Sequence, residues 1–273
     1  MGLPTLRAAI LLALVLAPAL AAGGSISISI APTAEVKDGV LTVRVRVSNG
    51  GDEAAESVAP VLQTGESTTR AEARPSLGPG ESMTSALSLQ VGTLAPGRWP
   101  YRLAVDYTDA NQYPFQALHV GLFTVGSAPP GKVAVSEIKA QPLSGSGTIR
   151  VHVKNLAGAE RQVALKVAVP DGLEVTRPVE PVSLAAWGEA DVSVPIVNRT
   201  ALVGSRYPIF VAAEYDGDGL HQAVVGQGIV EIQSAQSFVG TWRTPLWIAG
   251  GTLVVVWLGF LLWQALARRP SRA

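Results

Sequence analysis

Two kinds of hydrophobic pattern divide this chain. From Gly24 onward, for some two hundred residues, apolar side chains recur at every second position. Ser25-Ile26-Ser27-Ile28-Ser29-Ile30 alternates strictly, as does Val43-Arg44-Val45-Arg46-Val47. Met83, Leu87, Leu89 and Val91 share one parity, and so do Tyr101, Leu103, Val105 and Tyr107. A period of two places alternate residues on one face, so each run predicts a half-buried strand with its polar partners in water. Turn signals separate the runs at Asn49-Gly50-Gly51-Asp52, Gly78-Pro79-Gly80 and Ala95-Pro96-Gly97. No sustained helical period appears in this region. Short strands at such spacing predict an antiparallel sandwich of about seven strands per 100 residues.

The pattern then starts again. Ile149-Arg150-Val151-His152-Val153-Lys154-Asn155 answers Val43 to Asn49 at an offset of about 106, and Tyr207 to Tyr215 answers Tyr101 to Tyr107. Leu77-Gly78-Pro79-Gly80-Glu81 is echoed by Leu184-Ala185-Ala186-Trp187-Gly188-Glu189. The order and offset of these landmarks predict an internal duplication, with one sandwich over 24–126 and a second over 132–232. Between them, Gly126-Ser127-Ala128-Pro129-Pro130-Gly131 reads as a stiffened linker that spaces the two apart.

The other pattern is uniformly apolar and occurs at both ends. Residues 246–267, LWIAGGTLVVVWLGFLLWQALA, are 22 positions without a charge. As a helix they would be about 33 Å long, against about 30 Å for a bilayer core. Arg268, Arg269 and Arg272 follow, a short basic tail over 268–273 of the kind retained in the cytoplasm. Trp242, Trp247 and Trp263 lie near the two edges, and Pro245 reads as the residue that opens the helix. Thr252 and Gly259 share a face on which a neighbouring helix could pack. At the other end, residues 1–22 carry Arg7, a short apolar core and Ala19-Leu20-Ala21, the outline of a signal peptide cut after Ala21 or Ala22. The expected protein is therefore all-β: two tandem sandwiches outside the cytoplasm plus one C-terminal transmembrane helix, single-pass and type I. A juxtamembrane linker, 233–245, would keep the second sandwich near the bilayer while the first projects further out. Two other readings of the ends remain open: an uncleaved N-terminal anchor, and a C-terminal segment processed by a transpeptidase.

Charge and composition narrow the function. The chain has 21 basic and 21 acidic residues, but four of the basic ones fall in the predicted signal and tail, so the exported body is acidic by about four charges. That disfavours nucleic acid as a partner. There is no cysteine, which removes disulfides, thiolate metal sites and an N-terminal lipid anchor.

VRVSNGGDEAAESV, LGPGES and PGRWPYRLAVDYTDANQ in the first repeat resemble the bacterial CARDB-type immunoglobulin-like domain. VHVKNLAGAERQVALKVAVPDGLEV and VSLAAWGEADVSVPI in the second resemble the related NEW3-type domain. The resemblance covers most of 24–232. It implies immunoglobulin-like sandwiches that serve as spacers and binding modules in the cell envelope, and it brings no catalytic residues.

Candidate chemistry is sparse. His119, His152 and His221 form no metal-ligand pattern, and each reads as an exposed strand or loop residue. Asp216-Gly217-Asp218-Gly219 lacks the remaining ligands of a calcium loop and reads as a tight hairpin turn. Asn198-Arg199-Thr200 matches a glycosylation triplet by chance. No nucleophile elbow or phosphate loop is present, so no catalytic, cofactor or metal residue is assigned and no enzyme is expected. Four aromatic residues are candidate partner contacts. Trp99 starts a strand and reads first as packing. Trp187 sits in a turn where the first repeat has Gly80 or its neighbour, and would fill the contact between the domains or meet a partner. Tyr113 and Phe115 follow the loop 108–112. The expected role is scaffold or accessory subunit of a membrane or envelope complex, such as a transporter; the alternative is a tethered carbohydrate or cell-wall binding module.

Overall fold

The structure, a computed structural model, describes residues 24–234 and the backbone of Phe238–Ala267, where side chains are described at Trp247, Ile248, 250–261 and Trp263. The predicted signal peptide and basic tail lie outside the described residues.

The first repeat folds as eight strands: β1 (Ile28–Lys37), β2 (Val40–Asn49), β3 (Ala55–Thr64), β4 (Ser67–Arg70), β5 (Arg74–Leu77), β6 (Ser82–Gln90), β7 (Gly97–Thr108) and β8 (Pro114–Val125). One layer is β1-β2-β6; the other pairs β3 with β4, β5 and β7, and β7 with β8. The alternation read in the sequence decides which residues face inward. Leu41, Val43, Val45 and Val47 on β2 are fully buried, while Arg44 and Arg46 between them are exposed. Tyr101, Leu103, Val105 and Phe123 close the core from the opposite layer. Asp38 and Gly39 join β1 to β2 in a two-residue turn with φ of 50° and 75°. The twist of such a turn matches that of the strands it joins.

The second repeat follows the same plan. Its strands are β9 (Val133–Ala140), β10 (Ser146–Asn155), β11 (Arg161–Ala168), β12 (Leu173–Val175), β13 (Val182–Leu184), β14 (Glu189–Asn198), β15 (Arg206–Gly217) and β16 (Leu220–Glu231). One layer runs β12-β14-β10-β9 and the other β13-β11-β15-β16, whose edge strand β16 also pairs in parallel with β7 of the first repeat at His221 and Gly97. Ile149, Val151, Val153, Val194, Ile209 and Val211 fill the space between them. Asp218 and Gly219 form a two-residue turn of the same kind between β15 and β16, with φ of 55° and 75°.

A buried asparagine holds the same place in each copy. The Asn49 amide donates to the carbonyls of Glu53 (2.7 Å) and Leu77 (3.0 Å), and its side-chain oxygen accepts from Gly51 N–H at 3.0 Å. In the second copy the Asn155 amide donates to Ala159, Leu184 and Ala185 carbonyls, at 2.8, 3.2 and 2.8 Å, and the oxygen accepts from Ala157 N–H at 3.0 Å. Both residues are almost wholly buried. Each ties the end of a core strand to the two loops that cross it, satisfying backbone groups that water cannot reach.

Helix α1 spans Phe238–Ala267, 30 residues, or about 45 Å. It starts earlier than the sequence reading had it, so Pro245 lies inside the helix and does not open it. Counted over the described residues alone, no helix is long and apolar enough to cross a membrane. The described side chains are nonetheless apolar and exposed, with Trp247 74%, Leu253 70% and Val255 69% open. Thr252 turns its hydroxyl back to the Ile248 carbonyl at 2.9 Å, and nothing lies within 4 Å of a Cβ placed on Gly259.

Candidate functional site

The linker does not hold the sandwiches apart. The outer face of β3, β7 and β8 lies against the outer face of β11, β15 and β16. Ala104, Leu118 and Val120 from the first copy and Phe210 from the second are buried there, with Val61, Ala168 and Val225 around them. The seam forms because these strands carry apolar residues on both parities. In β15, every residue from Ile209 to Tyr215 is buried, odd positions in the sandwich core and even ones such as Phe210 and Ala212 in the seam. The expectation of spaced domains is corrected accordingly: a second apolar face, once formed, is covered and not left in water.

Polar groups set the seam's register. Gln116 donates to Asp171 across it at 3.2 Å and to Asp106 of its own sheet at 2.8 Å, and Arg102 donates to the Gln116 side-chain oxygen at 2.6 Å. Arg70 pairs with Asp106. At the other end His221 N–H donates to the Pro96 carbonyl at 3.0 Å, and the His221 ring stacks on Trp99 with centroids 3.6 Å apart. His221 Nε2 is 3.4 Å from Glu214, whose nearly buried carboxylate also meets Lys166 at 3.1 Å. His221 is therefore nine-tenths covered on its side chain, not an exposed loop residue. His119 is half-buried beside Phe210 and Tyr101, and burial pushes its imidazole below the usual range. His152 is also largely covered, paired with Asp191 (2.8 Å) and near Glu189 (3.5 Å) on the outer sheet of the second copy. Among the described residues no group of three or more His, Asp or Glu is placed to hold a metal.

Clefts of about 630 and 510 Å³ flank the seam, each lined from both copies. The larger holds Tyr107, Phe115, His119, Tyr207 and Phe210; the smaller holds Trp99, Arg102, Lys166, Leu173 and Glu214. Burial, with Tyr207 as its neighbour, pushes the Tyr107 hydroxyl up to about 12. It stays protonated at any physiological pH, so it is no base.

Of the four aromatic residues singled out in the sequence, the seam takes two. Trp99 packs on the first core, donates its indole N–H to the Ala95 carbonyl at 2.9 Å, and carries the His221 stack. Phe115 is half-buried between Tyr107 and Tyr113, 5.6 Å from each ring, and lines the hollow with Asp171 and Tyr207. Tyr113 sits at the rim, 43% exposed, on a loop pinned by the Asp109 carboxylate.

Trp187 is different. It is 71% exposed, takes no part in the seam, and has φ 58°. Its N–H donates to the Ala157 carbonyl at 3.0 Å, as Gly80 N–H donates to Asn49 in the first copy, where φ is 73°. The same left-handed turn is made twice, once by glycine and once by tryptophan. A side chain in that conformation costs about 1 kcal/mol or more. Leu156, 49% exposed, belongs to the facing loop, and the indole lies over Gly158. The indole thus stands in a strained turn with most of its surface facing solvent.

No family model and no curated protein matches the chain. Among solved structures, native Escherichia coli α2-macroglobulin aligns with 77% of this chain and 17% of its own, at 11% identity and a TM-score of 0.33. Red sea bream transglutaminase aligns with 77% of this chain and 31% of its own, at 12% identity and a TM-score of 0.27. The chain thus spans less than a third of either protein. At these scores the likeness carries no argument about activity.

Proposed function

We propose that the chain is a non-enzymatic, single-pass envelope protein that presents a paired immunoglobulin-like ectodomain outside the bacterial inner or cell membrane. Its role is scaffold or accessory subunit of a membrane complex. The observation that carries this reading is helix α1. Its described side chains from Leu253 to Leu261 are open on every side of the helix, with no sandwich residue covering them. They belong to an uncharged stretch, 246–267, that is followed by Arg268, Arg269 and Arg272. Water is a poor solvent for such a surface and lipid a good one. The immunoglobulin-like assignment is supported by the layers: β1-β2-β6 against β3-β7-β8, and β9-β10-β14 against β11-β15-β16. The signal peptide, residues 1–22, completes the topology.

Trp187 is the proposed partner contact. The carbohydrate alternative keeps this one platform but loses Trp99, whose ring face is occupied by His221.

Alkaline carbonate extraction tests the anchor. The full chain is expected to stay with the membrane pellet, and a variant lacking 246–273 to be soluble. Recovery of the full chain in the carbonate supernatant would remove the membrane reading. Trp187→Gly tests the contact. This change is expected to stabilise the second sandwich by about 1 kcal/mol, because glycine relieves the left-handed strain. It should also abolish co-purification of partner proteins in mild detergent. A loss of stability would mean that the indole is structural.

A further inference from the structure

The turn 202–205 lies at the end of the second sandwich from which the chain leaves for helix α1. Gly204 N–H donates to the Ile232 carbonyl at 2.7 Å, and Ile232 N–H donates to the Ser205 carbonyl at 2.9 Å. The turn is thus fastened to the last residue before the connector. At its tip Leu202 is 42% and Val203 63% exposed, and Ile229, three residues before Ile232, is 49% exposed. The turn does not fold its apolar pair inward, because the Tyr207 hydroxyl accepts from Leu202 N–H at 3.2 Å and fixes the backbone. Tyr113 of the first copy, also exposed, lines a hollow with Ala201 and Tyr207. The seam therefore brings the first sandwich to the same end. From Ile232 to Phe238 the chain can reach at most about 20 Å, and the helix from there to Leu246 adds about 12 Å.

We infer that this end rests on the bilayer, with Leu202 and Val203 dipping into the lipid interface and Tyr113 at headgroup level. The inference depends on the membrane reading of α1 given above. The occupant is lipid because the connector holds this end within about 30 Å of the uncharged span, and because apolar tips flanked by tyrosine suit the interfacial zone. Trp187 then faces away. Strand β14 runs from Glu189, two residues past Trp187, to Asn198, three residues before Ala201, a span of about 33 Å. The partner contact is therefore held about one sandwich length above the membrane.

The chain has no cysteine, so single labels report cleanly. Full-length Val203→Cys and Trp187→Cys, each carrying a bimane label, would be reconstituted into phosphatidylcholine–phosphatidylglycerol vesicles. A fraction of the lipid would bear a headgroup nitroxide. The expected result is that both proteins float with the vesicles, the label at 203 loses most of its emission, and the label at 187 keeps it. Flotation with equal emission from the two labels overturns the inference and leaves the membrane reading intact. Failure of both proteins to float overturns both.

Discussion

Asn155→Ala is expected to lower the stability of the second sandwich by about 3 kcal/mol. Four hydrogen bonds end on this side chain, three to the carbonyls of Ala159, Leu184 and Ala185 and one from a backbone amide. Alanine leaves those groups without partners in a place where only 2% of the residue is open to solvent. Each abandoned buried group costs about 1–3 kcal/mol, partly recovered where water can enter. Against a domain stability of about 5–15 kcal/mol the loss is large. In a thermal melt in which the two sandwiches unfold as one unit it corresponds to a drop of roughly 6–12 °C. Asn155→Asp should fare no better, since a carboxylate cannot donate to the three carbonyls. A melt of either variant within a degree of the parent would show that the loops hold without the staple. Asn49→Ala should repeat the effect in the first copy.

Phe210→Asp is expected to part the two sandwiches while leaving each folded. Phe210 is 5% exposed and belongs to the seam, not to either sandwich core. A carboxylate there would be buried against Ala104, Leu118 and Val120, with the half-buried His119 imidazole beside it, a cost of several kcal/mol that separation avoids. Gly97→Val should act at the other end of the seam. Gly97 has φ 144°, and a Cβ there would stand 2.0 Å from the His221 carbonyl oxygen. For both variants calorimetry should split one transition into two, and small-angle scattering should report a larger radius. One unchanged transition with an unchanged radius would mean that the seam is not an energetic unit.

Much of this architecture was legible in the sequence. The alternation at Val43–Val47 and Ile149–Val153 names the core faces correctly, and the turn at Asp218-Gly219 is where its residues required it. The offset of about 106 finds Asn49 and Asn155 doing the same work, and it matches Trp187 to Gly80. The seam was missed for a physical reason. Alternation reports one buried face, and a strand buried on both faces loses it. The run Ile209-Phe210-Val211-Ala212-Ala213 carries that signal, as a continuous apolar stretch between Pro208 and Glu214. The same oversight made His221 and His119 look exposed and left Phe115 as a free contact, while Trp99, read first as packing, does pack on the first core. Proline in the linker argued for separation, but linker stiffness says nothing about affinity between the faces it joins. Glu214 with Lys166 and His221 could not have been assembled from spacing, because the three meet only when β11 and β16 flank β15 and the first copy closes over them.

The seam has a consequence for biosynthesis. Its two halves lie about a hundred residues apart, so the first sandwich is complete well before Phe210 has been made. During that interval Val61, Ala104, Leu118 and Val120 are a bare apolar patch on a folded module, open to the same patch on a neighbouring nascent chain. Two chains that meet at this stage can exchange halves, each first sandwich closing on the other's second. Slow delivery of the second half would favour such exchanged dimers, and dilute, rapid synthesis the closed monomer.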